Sequence, residues 1–181
     1  MREKVLLLHG WGGSDNPHWQ AWLGSEIVKD YGTVAFPLLD NPHFPSKNRW
    51  LKQFKKLLSE FQPDVVICHS LANTVWFHLC NEGEIQSVKR LLLVAPPRLN
   101  LELDTIATFF PVEPPKNLFA QEVMLVTSDN DPYMTNQEAS ALQKDLDVEM
   151  KVLVNAGHIN EEGGFGEWPW VLSWLKGEKE G

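Results

Sequence analysis

Six short apolar runs recur along the chain, and glycine, proline or polar residues separate them. They occupy residues 5–8, 33–36, 65–68, 88–94, 123–127 and 148–154. Runs of this length that are rich in valine, leucine and isoleucine are typical of strands buried on both faces of a sheet. The pattern therefore predicts a sheet of about six strands.

Longer segments between these runs carry apolar residues at helical spacing. In residues 46–61, Trp50, Phe54 and Leu58 fall on one face and lysines fall on the opposite face. This spacing is typical of an amphipathic helix, and similar spacing predicts helices over residues 19–29, 71–80, 135–146 and 168–175. Strands that alternate with helices predict an α/β fold with a mostly or wholly parallel sheet and helices on both faces.

The chain, residues 1–181, is predicted to be a single domain, because its length suits one hydrophobic core and it contains no repeat. Residues 98–120 interrupt the alternation, since they are rich in proline and have little periodicity. We expect an irregular excursion there, with one short helix near residues 104–109. This segment is predicted to be either a small lid over a site or an anchored loop.

Composition and charge exclude several classes of partner. The formal net charge is −8, and no basic run is present to bind nucleic-acid phosphates. No stretch approaches the roughly 18–20 apolar residues of a membrane span. The histidines lack the paired spacing of a zinc site.

The chain has two cysteines, Cys68 and Cys80, and no signal-peptide pattern. We therefore expect a reducing, cytoplasmic location.

The strand over residues 65–68 leads directly into Ser70 and then into a predicted helix. A strand–turn–helix sequence of this kind is typical of a nucleophile elbow, in which a sharp turn lifts a serine hydroxyl above the sheet edge. The elbow takes small residues two positions before and after the nucleophile, and Cys68 and Ala72 stand there in place of the usual glycines. We predict that Ser70 is a nucleophile; the alternative is a serine that caps the helix.

Two later strand ends carry the side chains that a serine nucleophile needs. The strand over residues 123–127 leads into Asp129 and Asp131, and the last predicted strand leads into His158. The carboxyl ends of parallel strands meet at one edge of a sheet, where Ser70 is also expected. We predict that His158 is the general base and that Asp131 orients it, with Asp129 as the alternative acid.

The glycine-rich turn after the first strand supplies a candidate oxyanion hole. Residues 9–13 read His-Gly-Trp-Gly-Gly. A His-Gly motif at this place turns the chain so that a backbone N–H faces the oxyanion. We predict the amides of Trp11 and Leu71 as the two donors and His9 as a structural residue. The alternative, a phosphate-binding turn, lacks the spacing of nucleotide-binding motifs.

Several stretches together carry a family resemblance: His9-Gly10-Trp11, residues 17–20, His69-Ser70-Leu71, residues 93–96, Asp131-Pro132, and residues 157–160 followed by 164–169. The last of these, Gly-His-Ile-Asn and then Gly-Phe-Gly-Glu-Trp-Pro, is the most specific. Spread over nearly the whole chain, they resemble the small serine hydrolases of the YdeN and retinoblastoma-binding-protein-nine type.

This resemblance implies a compact α/β-hydrolase fold without the leading antiparallel strands of larger relatives. It also implies a Ser-Asp-His triad and no metal or cofactor. Some members bind the retinoblastoma protein through an L-x-C-x-E sequence. The nearest stretch here, Leu-Cys-Asn-Glu at residues 79–82, has the wrong spacing, so we do not expect that partner.

These features predict a serine hydrolase that acts on a small carboxylic ester, or a small amide, through an acyl-serine intermediate. One alternative is a non-catalytic protein-binding module that keeps the fold, because the residues flanking Ser70 are unusual. Another is an enzyme of the same fold with a different reaction, such as an acyltransferase or a lyase. Trp168, Phe109 and Phe110 are candidates for lining the substrate pocket, because they lie near the candidate site segments or in the irregular excursion.

Overall fold

The computed structural model describes residues 3–30 and 32–178 of the chain. Within them, six strands form one sheet: β1 (Lys4–Leu8), β2 (Thr33–Ala35), β3 (Val65–His69), β4 (Val88–Val94), β5 (Ala120–Ser128) and β6 (Glu149–Leu153). The strand order is β2-β1-β3-β4-β5-β6, and every neighbouring pair is parallel. The predicted α/β class with a parallel sheet is thus confirmed.

In the part of the chain that the structure describes, five α-helices connect or follow the strands: α1 (Trp19–Lys29), α2 (Lys47–Phe61), α3 (Leu71–Glu82), α4 (Asn136–Leu146) and α5 (Pro169–Lys176). Several helices begin or end at residues that commonly cap helices. Thr135 and Glu138 form a capping box at the start of α4, and Gly83 and Gly177 end α3 and α5 in the left-handed conformation.

The core lies on both faces of the sheet, because side chains alternate along each buried strand. In β3, Val66 and Cys68 point into a core that includes residues of α2, α3 and α4. Val65 and Ile67 point into a second core with α1 and α5. All these strand residues are fully buried, which is why the strands read as continuous apolar runs instead of alternating ones.

The elements differ from the predicted ones mainly at strand ends. β5 begins at Ala120, earlier than expected, because Ala120 pairs with Val88 at the start of β4. β6 ends at Leu153, since its last partner is Ser128 and the following Val154 is 76% exposed. A short 3₁₀ helix, Glu161–Gly163, was not predicted because it has no apolar periodicity.

The irregular excursion is anchored. It contains the expected short helix, a 3₁₀ segment at Asp104–Phe109. Phe109 is fully buried, and its ring meets Trp50 edge-on with centroids 5.6 Å apart. The Val112 amide donates to the Leu99 carbonyl at 2.9 Å. Of the two possibilities that the sequence left open, these contacts favour the anchored loop.

Among the described residues, none of the helices combines the length and the apolar character needed to cross a membrane.

Replacing Phe54 with alanine tests the core between the sheet and α2. The ring is fully buried, so its removal leaves a cavity, and we expect the free energy of unfolding to fall by about 3–5 kcal/mol. Urea unfolding followed by circular dichroism measures this change. Phe44→Ala is the matched control, because Phe44 is 71% exposed and should change stability by less than about 0.5 kcal/mol. Equal losses in both variants would contradict this packing.

Candidate active site

Ser70 lies in a strained turn between β3 and α3. Its φ of 53° and ψ of −121° fall in a region that non-glycine residues rarely adopt. Its amide donates to the Val94 carbonyl at 3.0 Å, and the Asn73 side-chain amide donates to the carbonyls of Ser70 and Val94, both at 2.9 Å. These bonds hold the turn that presents the serine side chain, as a nucleophile elbow does.

The residues flanking the elbow are small enough for a second chain segment to approach it. Cys68 and Ala72 are both fully buried. Gly10 lies against the elbow, and a Cβ atom there would come within 2.7 Å of Ser70 Cβ. Only glycine fits at position 10, and its small size brings the loop after β1 against the elbow.

This approach places two candidate donors beside Ser70. The loop residue Trp11 and the first residue of α3, Leu71, line the same cavity as Ser70. Within the described part of the chain, neither backbone amide has a hydrogen-bond acceptor. Both amides are therefore available to an oxyanion.

Three side chains that are far apart in the sequence form a continuous hydrogen-bonded chain. Ser70 Oγ lies 2.7 Å from His158 Nε2. His158 Nδ1 lies 2.9 Å from Asp131 Oδ2 and 3.0 Å from Asp131 Oδ1. Asp131 Oδ1 also accepts the amide of Tyr133 at 2.9 Å. A proton on Nδ1 leaves Nε2 free to accept the serine proton, which is the arrangement of a general base.

The three residues before Asp131 accept hydrogen bonds from the backbone of the segment that precedes His158. Asp129 Oδ1 accepts the amide of Asn155 at 2.7 Å. Asn130 Oδ1 accepts the amide of Gly157 at 2.8 Å, and Ser128 Oγ accepts that of Ala156 at 3.0 Å. These three bonds, which we call the loop clasp, fix the segment before His158. Asp129 is committed to the clasp, so of the two candidate acids only Asp131 contacts His158.

Two further histidines adjoin His158. His69 Nε2 donates to the His158 carbonyl at 3.1 Å, and the His18 ring lies 4.8 Å from the His69 ring. Burial lowers the pKa of His69 well below its usual value, and burial together with the nearby His158 lowers the pKa of His18 to about 4. Both rings are therefore neutral at pH 7, and they add no positive charge when His158 takes a proton.

Burial raises the pKa of the Cys68 thiol well above its usual value. The thiol therefore stays protonated and inside the core, whereas Ser70 lines the cavity.

The cavity over Ser70 has a volume of about 430 Å³. Trp11 and Tyr133 line it, together with Leu101 and Ile106 from the excursion and Glu161 and Glu162 from the second 3₁₀ helix.

The three predicted pocket residues do not line this cavity. Trp168 is buried in the core, where its ring meets that of Trp19 edge-on with centroids 5.1 Å apart. Phe109 is fully buried against Trp50, and Phe110 packs against the same core. Large aromatic side chains gain more from a closed core than from a solvated cavity.

Several lining residues were not predicted from the sequence. His18, Tyr133 and the pair Glu161 and Glu162 all line the cavity. Tyr133 and Glu161 lie two and three residues beyond Asp131 and His158, so proximity to these motifs was a usable signal. His18 carried no such signal, because its side chain accepts the Gln20 amide as an ordinary helix cap. Among the described residues, no group of three histidine, cysteine, aspartate or glutamate side chains is placed to hold a metal ion.

A parallel sheet with a serine, a histidine and an aspartate joined at the carboxyl ends of β3, β6 and β5 defines the α/β-hydrolase class. The model of the serine hydrolase family matches residues 5–177. The chain therefore belongs to the serine hydrolase family and is a hydrolase, as the resemblance implied. Comparison of the sequence with curated proteins gave no significant match.

Solved structures agree with this fold. The ydeN gene product of Bacillus subtilis is 19% identical, with 97% of each chain covered and a TM-score of 0.78. A putative YdeN-like hydrolase from Pectobacterium atrosepticum is 23% identical, with 96% of this chain and 89% of that chain covered and a TM-score of 0.77. A monoacylglycerol lipase of Paleococcus ferrophilus is 13% identical over 97% of this chain and 94% of that chain, with a TM-score of 0.66.

The low pKa of His18 makes stability depend on pH. Unfolded His18 binds a proton near pH 6.5 and the folded side chain only near pH 4, so its contribution is full above pH 6.5 and is lost as the pH falls towards 4. Because one unit of pKa corresponds to about 1.4 kcal/mol, we expect a loss of about 3 kcal/mol from this residue.

Urea unfolding at several pH values between 7 and 4 measures this loss. His18→Asn is the informative variant, because asparagine can still cap α1 but does not titrate in this range. Its unfolding free energy should fall less steeply with acid than that of the parent. If the unfolding free energy of both proteins changed equally with pH, the loss of stability in acid could not be assigned to His18.

Proposed function

We propose that this hydrolase cleaves a small carboxylic ester, or a small amide, through a covalent acyl intermediate on Ser70. The observation that carries the proposal is the unbroken contact from Ser70 Oγ to His158 Nε2 at 2.7 Å and from His158 Nδ1 to Asp131 at 2.9 Å. A serine hydroxyl is a weak nucleophile unless an adjacent base removes its proton. The geometry supports His158 in that role.

In the first half-reaction, Ser70 Oγ forms a bond to the carbonyl carbon of the substrate, and its proton passes to His158 Nε2. The carbonyl oxygen becomes an oxyanion. When this intermediate collapses, the bond to the leaving alcohol breaks, and His158 returns the proton to the leaving oxygen. The products are an acyl–Ser70 ester and the free alcohol.

In the second half-reaction, water takes the place of the alcohol. His158 removes a proton from the water as its oxygen bonds to the acyl carbon. The bond to Ser70 Oγ then breaks, and the proton on His158 passes to that oxygen. The carboxylic acid leaves, and Ser70 and His158 regain their starting protonation states.

Asp131 and the two free amides supply the electrostatic stabilisation. Asp131 holds the proton on His158 Nδ1 and stabilises the imidazolium that forms in each half-reaction. The Trp11 and Leu71 amides are the proposed oxyanion donors, since neither has another acceptor among the described residues. A donor at such a site is worth about 3–4 kcal/mol of transition-state stabilisation.

Similarity to the monoacylglycerol lipase of Paleococcus ferrophilus is consistent with an ester substrate. The substrate that we propose is a small molecule, as membership of the serine hydrolase family implies. The reducing, cytoplasmic location of the chain stays a prediction.

Labelling with a fluorophosphonate tests the nucleophile. We expect the parent protein to form a stable adduct that is lost in Ser70→Ala and in His158→Ala, because the reagent requires an activated serine. Gel fluorescence and mass spectrometry of the adduct measure this. Ser59→Ala serves as the matched control, since Ser59 is exposed on α2 and its hydroxyl donates only to the Lys56 carbonyl.

Absence of labelling in a folded parent would overturn the proposed chemistry and favour a binding module with the same fold. Labelling that persists in Ser70→Ala would show that a residue other than Ser70 is the nucleophile.

A pair of aspartate variants tests the assignment of the acid. Asp131→Asn places an amide beside His158 Nδ1 and favours the wrong tautomer, so we expect kcat to fall by about 10³–10⁴-fold. Asp129→Asn is the control, because an asparagine oxygen can still accept the Asn155 amide. Steady-state hydrolysis of p-nitrophenyl acetate measures both. A larger loss in the Asp129 variant would reverse the assignment.

A further inference from the structure

The cavity over Ser70 has two chemically different walls. The segment after β6 contributes His158, Asn160, Glu161 and Glu162. The excursion after β4 contributes Leu101 and Ile106, which are only 4% and 3% exposed. One wall is polar and acidic, and the other is apolar.

The direction of proton transfer assigns each wall to a part of the substrate. His158 must protonate the leaving oxygen, so the leaving group has to lie on the side of His158. The oxyanion points towards the Trp11 and Leu71 amides. The remaining substituent of the tetrahedral carbon is the acyl chain. Leu101 and Ile106 are apolar lining residues from a segment that contains neither His158 nor the proposed oxyanion donors.

That apolar wall is rigid. Ile106 belongs to the 3₁₀ segment Asp104–Phe109, and Phe109 anchors this segment in the core against Trp50. His78 Nε2 also donates to the Phe109 carbonyl at 2.8 Å. These contacts anchor the segment that carries Ile106, so the Ile106 side chain limits the size of the group that fits.

We propose that Leu101 and Ile106 form the acyl-binding wall and that the natural substrate is an ester with an uncharged, apolar acyl group. The proposal rests on the proposed esterase function and specifies its substrate class. No lysine or arginine lines the cavity in the described part of the chain, so an anionic acyl group would meet no counter-charge. Glu161 and Glu162 would repel it further.

The test is the selectivity of the full chain for p-nitrophenyl esters of acetate, butyrate, hexanoate and octanoate, and for the hemisuccinate. For the parent we expect butyrate to be preferred over the hemisuccinate. Ile106→Ala should raise the ratio of kcat/KM for octanoate to that for acetate by about tenfold or more, and Ile106→Phe should lower it, because one methylene in an apolar pocket is worth about 10–200-fold.

Val112→Ala is the matched control, because Val112 is buried in the same excursion but does not line the cavity. Its acyl selectivity should equal that of the parent. A second control keeps the acetyl group and changes the alcohol from p-nitrophenol to 4-methylumbelliferone. The Ile106 variants should leave the ratio for these two alcohols unchanged.

An unchanged acyl selectivity in both Ile106 variants, a change in the alcohol ratio instead, or a preference for the hemisuccinate would overturn the proposal. Fluorophosphonate labelling of each variant separates this failure from failure of the esterase itself. Labelling with unchanged selectivity refutes only the acyl wall. Absence of labelling in the parent protein refutes the proposed function.

Discussion

The parallel alignment of the strands is the constraint on which the rest of this structure depends. Helices cover both faces of the sheet, so the strands can be apolar throughout and all run in one direction. Every carboxyl end then lies at the same edge. Gly10 follows β1, Ser70 follows β3, Asp131 follows β5 and His158 follows β6, so side chains that are distant in sequence meet there.

Convergence alone would leave these side chains loosely placed, and hydrogen bonds from their neighbours hold them. The loop clasp ties Ser128, Asp129 and Asn130 to the backbone before His158. Asn73 braces the strained turn at Ser70. Ser70 and His158 are therefore held in place by their neighbours, which would reduce the reorganisation that the proposed reaction requires.

Burial of neutral histidines next to His158 is a second electrostatic feature of the site. A charged imidazole at His69 would oppose the protonation of His158 in the proposed reaction. Burial lowers the pKa of His69 and keeps that ring neutral while its Nε2–H donates to the His158 carbonyl. The burial that makes this residue costly to protonate thus favours the proton transfer proposed for His158.

The sequence by itself determined the strands, the helices and the strand ends that carry Ser70 and His158, because apolar periodicity and turn chemistry are local properties of the chain. It left two aspartates as candidates for the acid, and only the tertiary structure shows their contacts: Asp129 accepts the Asn155 amide, and Asp131 lies 2.9 Å from His158 Nδ1. Sequence reasoning also placed Trp168, Phe109 and Phe110 in the substrate pocket, whereas in the structure they do not line the cavity over Ser70. An aromatic side chain is equally apolar in a core and in a pocket, and which of the two surrounds it depends on contacts with residues far away in the chain.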